Sequence, residues 1–108
     1  MNAELLQVVT TTSDRPDASR LAAAVLEKRL AACVQIHGPV ESHYWWNGRI
    51  EQASEWKVVI KTHTHRYAEL EKLLLEIHPY DEPEILATPV EQVSAGYLQW
   101  LKNEMRIE

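Results

Sequence analysis

Cysteine, phenylalanine and glycine are scarce in this chain of 108 residues, which has one Cys, no Phe and three Gly. The lone Cys33 excludes an intramolecular disulfide, so nothing in the sequence calls for an oxidising compartment. Its neighbours Leu30-Ala31-Ala32 and Val34 are apolar, which reads as a small buried hydrophobe rather than a reactive thiol. So little glycine leaves no Gly-rich phosphate loop. The hydroxyl run Thr10-Thr11-Thr12-Ser13 reads as a turn and capping segment, with a small-anion pocket as the weaker alternative. Positive charge is also short: 11 basic residues face 16 acidic ones, a formal net charge of -5. That argues against nucleic acid or an anionic membrane surface as the main partner. No apolar run approaches the roughly 18 residues that span a bilayer. No basic segment leads into an apolar core and cleavage site at the start. The expectation is one soluble, cytoplasmic domain over residues 1–108, small enough to gain stability by oligomerising.

Hydrophobic residues make up 45% of the chain, and their spacing orders the elements. Leu5 to Thr12, rich in Leu, Val and Thr, predicts a strand. Ser13 or Asp14 can cap a helix with Pro16 in its first turn, and Ala18, Leu21, Ala22, Val25, Leu26 and Leu30 mark its apolar face. Ala32, Val34 and Ile36 alternate in a second strand that His37-Gly38-Pro39 interrupts as a bend or bulge. The strand resumes to Trp46, and Asn47-Gly48 predicts a tight hairpin turn into a third strand reaching Thr62. Tyr67, Leu70, Leu73, Leu74 and Ile77 mark a second helix, and Ile85–Val90 a fourth strand whose Pro89 belongs near an edge. Ser94 can cap a last helix through Met105, with Tyr97, Leu98, Leu101 and Met105 on one face. This β-α-β-β-α-β order with a C-terminal helix predicts an α+β, ferredoxin-like sandwich with a long β-hairpin. One sheet face then needs cover beyond the helices, and Tyr44, Trp45, Trp46 and Trp56 read as anchors of a subunit interface rather than a sugar-binding platform.

The segment richest in chemistry is His78-Pro79-Tyr80-Asp81-Glu82-Pro83-Glu84, where an imidazole and three carboxylates share a connection stiffened by two prolines. Both residues preceding a proline are pushed toward extended geometry, so the helix stops there. The segment reads either as a shaped functional loop or as a plain helix stop before a strand. His78 and Glu84 could offer a nitrogen and an oxygen to Cu(II) or Zn(II), few ligands for tight binding. His63 and His65 read as solvated turn residues, and His37 and His43 as structural. No sequence pattern places a catalytic triad, so no enzyme activity is expected.

Together, Arg29-Leu30-Ala31-Ala32-Cys33-Val34, Tyr44-Trp45-Trp46-Asn47-Gly48 with Glu55, Lys61-Thr62, His78-Pro79-Tyr80 with Pro83-Glu84, and Tyr97-Leu98-Gln99-Trp100-Leu101 carry a resemblance. The sequence closely resembles the divalent-cation tolerance protein family, CutA, over nearly its whole length. The resemblance implies a ferredoxin-like protomer in a compact homotrimer and a role in tolerance to divalent metals, copper above all. It implies no required cofactor and no established reaction. It also implies a likeness in assembly to PII-type signalling proteins, which leaves open a small-ligand module with inter-subunit clefts as the alternative function. In some relatives a cysteine at the end of the first strand joins the loop's histidine and glutamate as a proposed copper ligand. Here Thr10 stands at that position, leaving His78 and Glu84 as the matching residues.

Overall fold

Strand β1 (Leu5–Thr12) is paired on both sides and forms the seam of the molecule, seen in a computed structural model that describes residues 3–108. The domain expected over residues 1–108 is therefore described from residue 3 onward; residues 1 and 2 lie outside the described residues. The remaining strands and α-helices are α1 (Arg15–Glu27), β2 (Cys33–Trp46), β3 (Arg49–His63), α2 (Tyr67–Ile77), β4 (Leu86–Pro89) and α3 (Ala95–Glu104), with a short 3-10 turn at Thr64–Arg66. The four strands make one antiparallel sheet in the order β2-β3-β1-β4. This is the ferredoxin-like arrangement, with an added C-terminal helix.

Local chemistry sets the element ends. The Asp14 carboxylate accepts the Asp17 amide at 2.8 Å, and Pro16 sits in the first turn of α1, where its missing amide costs little. Asn47 and Gly48 take φ of 50° and 75°, as a primed hairpin turn requires. The expected bulge falls between His37 and Val40, where the β2–β3 register shifts. A Cβ on Gly38 would lie 3.0 Å from both the Glu55 carbonyl oxygen and the Trp56 ring, so β2 can approach β3 there only without a side chain. His78, held by its following proline, is extended (φ -67°, ψ 137°) and ends α2.

The sheet's two faces are unequal. Val8, Val58 and Ile60 meet Ala18 and Val25 of α1 and Leu70 and Leu74 of α2, all fully buried. Each large aliphatic side chain buried there contributes about 1.5–3 kcal/mol. On the opposite face, α3 covers one end, packing Leu101 and Met105 on Leu5. Register and alternation put Val9, Val59, Gln35 and Leu86 on the rest of that face, with no helix against them.

Several expectations change. Leu26 is exposed because it falls outside the stripe formed by Ala18, Leu21 and Val25. Tyr97 is exposed too, while Leu101 on the same helix is fully buried. Strand β4 is shorter than predicted, pairing only Leu86–Pro89 with β1 at the sheet edge. Cys33 is half-buried, not buried, because β2 is the other edge strand.

Two neighbours on α2 separate burial from composition. Leu74→Ala is expected to cost about 2–5 kcal/mol in chemical denaturation, because it empties the main core. Leu75→Ala, at a position 53% exposed, is expected to change stability by about 0.5 kcal/mol or less.

Candidate functional site

β3 runs 15 residues while β1 runs 8, and Thr12 pairs with Trp56, so Arg49–Glu55 continues past the end of β1 with only β2 beside it. The result is a two-stranded arm. Alternation gives it two characters. Ser42, Tyr44, Trp46 and Glu55 turn one way; Trp45 and Ile50, paired with each other and 71% and 66% exposed, turn the other. Between the arm and the connection after α2 lies a cleft of about 520 Å³. Its walls are Thr11, Ser42, His43, Tyr44, Trp46 and Glu55, closed by Tyr80, Asp81, Glu82 and Glu84. Four carboxylates and three aromatic rings face it, and no lysine or arginine does among the lining residues.

The connection is braced from behind. The Tyr80 amide donates to His78 Nδ1 at 3.0 Å, and His78 Nε2 lies 3.0 Å from Thr10 Oγ1. A backbone amide only donates, so Nδ1 is the acceptor, and the neutral ring carries its proton on Nε2, which donates to Thr10. Thr10 is fully buried and His78 is 9% exposed. Burial, with a smaller contribution from Arg20, holds the imidazole below its ordinary pKa against the opposing pull of the Thr11 backbone, Asp17 and Glu55. In front, the Tyr80 hydroxyl donates to Glu55 Oε2 at 2.7 Å. Burial first, then the hydrogen bond to Glu55 and its charge, pushes the phenol far above its usual value.

The sequence-predicted residues therefore separate. Glu84 lines the cleft, while His78 stands behind the wall and does not line it. Tyr44 and Trp46 belong to the cleft face of the arm and Trp45 to the outer face. Trp56, expected at a subunit interface, is half-buried in the protomer, packed against the main core with Arg15 5.8 Å from its ring centroid, because its side chain falls on the helix-covered face. His63 is buried at 1% exposure rather than solvated. Its Nδ1 accepts the His65 amide and its Nε2 reaches Glu4 Oε1 at 3.3 Å, a carboxylate also held by Lys102. His43 is exposed on the arm, 2.6 Å from Glu41. Thr12 Oγ1 donates to the Asp14 carbonyl, fitting the turn role expected of the hydroxyl run. The Tyr80–Glu55 bond was not foreseen: its members lie 25 residues apart, and only the folded arm joins them.

A closed metal site does not fit these residues as they stand. Among the described residues no group of three or more His, Cys, Asp or Glu side chains converges on a point. Thr10 brings a hard hydroxyl where a soft ion wants a thiolate. What the cleft offers a cation is a field of carboxylates.

The family model described as CutA1 divalent ion tolerance protein matches residues 6–104. A divalent-cation tolerance protein CutA from Pectobacterium atrosepticum is 41% identical over 99 residues, covering 92% of this chain and 90% of its own. The crystal structure of a CutA1 from Shewanella sp. SIB1, described as a stable protein, superposes with a TM-score of 0.92 at 42% identity, over 96% of this chain and 97% of that one. A CutA from Archaeoglobus fulgidus, described as periplasmic, gives 0.90 at 35% identity, over 94% and 98%.

The depressed basicity of His78 has a pH signature. An unfolded imidazole takes up its proton near 6.5 and the folded one only at lower pH, so the unfolded state binds more protons in between. Stability present above pH 6.5 is therefore expected to fall as pH drops through that window toward the folded value. Denaturation midpoints of His78→Asn across the same range are expected to lack this component.

Proposed function

The chain belongs to the CutA1 divalent ion tolerance protein family, and from that premise we propose that it serves in the response to divalent metal ions as a homotrimer. In this reading, Cu(II) or another divalent ion is met weakly in the cleft beneath the arm. The observation that carries it is the cleft wall, where Glu55, Asp81, Glu82 and Glu84 gather without a lysine or arginine among them. A concave surface of one sign concentrates counter-ions, and a divalent ion gains twice what a monovalent one does. Attraction of this kind is loose and salt-sensitive, in keeping with an ion sensed rather than stored.

The trimer has separate support. Trp45, Ile50 and Leu86 leave large apolar side chains in water, and the sheet face bearing Val9 and Val59 has no helix over it. Large apolar side chains left exposed on the arm and on the open sheet face are what assembly covers. No reaction and no resident cofactor belong to this role. The proposed compartment is the cytoplasm, where a chain with one cysteine is at home. Cell fractionation separates that from the periplasm named for the Archaeoglobus fulgidus relative.

Calorimetric titration with Cu(II) and Zn(II) tests the cleft. Glu82→Gln combined with Glu84→Gln is expected to weaken binding severalfold, and added salt to weaken it further; affinity unchanged by both moves the site elsewhere. Sedimentation equilibrium tests the assembly: three chains of 12.5 kDa each are expected to travel together, and Trp45→Ser with Ile50→Ser to release monomer or aggregate. A single-chain species of the unaltered protein would refute the trimer.

A further inference from the structure

We propose that His78 is a positioning residue in this chain and not a metal ligand: its ring bridges Thr10 to the Tyr80 amide and thereby sets Tyr80, and through it the Glu55 carboxylate, in the cleft wall. The inference refines the cleft reading above and shares its premise that cations enter there.

A metal takes a lone pair from a neutral imidazole nitrogen. Nδ1 has committed its lone pair to the Tyr80 amide at 3.0 Å. Nε2 carries the proton and spends it on Thr10 Oγ1, also at 3.0 Å. Reversing the tautomer would set Nδ1–H against the amide N–H, two donors facing each other where water scarcely reaches. Metal binding at either nitrogen therefore breaks a hydrogen bond, fully buried at Nε2 and part-buried at Nδ1. Thr10 and His78 thus make one unit. A hydroxyl at position 10 is a good partner for an imidazole N–H and a poor one for copper.

The strut has an output. Tyr80 is gripped at its amide by His78, lies 5.0 Å from that ring by centroid, and at its far end donates to Glu55 Oε2 at 2.7 Å. Glu55 sits on β3 beside the bulge, at the root of the arm. The chain Thr10–His78–Tyr80–Glu55 therefore ties β1, the connection and the arm together, and fixes one carboxylate of the cleft by its rear oxygen contact. Partners behind a ligand commonly change affinity about 10–100-fold when removed.

The decisive experiment is two-bond 1H–15N correlation of the imidazoles in the full-length labelled protein, with and without excess Zn(II), alongside hydrogen exchange at the Tyr80 amide. The expected result is the Nε2–H tautomer at His78, ring shifts unmoved by zinc, and a protected Tyr80 amide. His78→Asn, whose side-chain oxygen can accept the amide two residues on, is expected to keep that protection and most of the zinc affinity. His78→Ala should lose both, with affinity falling about tenfold. An Nδ1–H tautomer, a zinc-induced shift of the His78 nitrogens, or zinc binding lost equally in the Asn and Ala variants would each overturn the proposal. If zinc binds nowhere, the cation reading of the cleft fails. The tautomer and the Tyr80 amide still decide the strut.

Discussion

The antiparallel register between β1 and β3 is the constraint from which the rest of this molecule follows. Leu5 pairs with His63 and Thr12 with Trp56, so the shorter strand is used up while β3 still has Arg49–Glu55 to place. Those residues have only β2 for a partner and must project as an arm. A one-residue slip would turn Val58 and Ile60 out of the core and their polar neighbours into it, so the register is enforced by burial of the helix-covered face. The arm's length, the cleft beneath it and the exposed Trp45–Ile50 pair are consequences of that arithmetic, not separate devices.

The connection after α2 is the second fixed body, and the cleft exists because two rigid parts face each other. Two prolines limit its backbone, but they do not by themselves decide where it points. That is done by buried polar contacts: His78 to Thr10 behind, Tyr80 to Glu55 in front. Among the described residues no buried side-chain nitrogen or oxygen lacks a partner. A wall satisfied in this way resists rearrangement, because opening it would strand groups that have left water behind. Asp81, Glu82 and Glu84 are meanwhile free to face solvent and whatever cation arrives.

The same separation explains why some candidate residues were legible and others were not. Alternation at Val58, Ile60 and Thr62, the three- and four-residue steps of Leu70, Leu73 and Leu74, and Asn47-Gly48 each act within a few residues, and each predicted its element. His63 reads as solvent-facing from its place between strand and helix, yet it is buried because α3 returns across the sheet end and Lys102 reaches Glu4 beside it. Trp56 reads as an interface anchor by residue type. In the protomer it is half-buried against the main core, because the register puts it on the helix side. In both cases a distant segment decided the environment, and no local pattern reports on that.

By itself the sequence determined the order of elements, the bulge at Gly38, the hairpin turn, the stop at His78-Pro79 and the acidic character of the following loop, because propensity, capping and periodicity are short-range physics. Only the tertiary structure decided that Glu84 fronts a cleft while His78 supports it from within. It alone joined Tyr80 to Glu55 and gave the arm one face for the cleft and an outer face bearing Trp45 and Ile50. Those outcomes depend on hydrogen bonds and burial between residues far apart in the chain, and such contacts exist only once the sheet has brought them together.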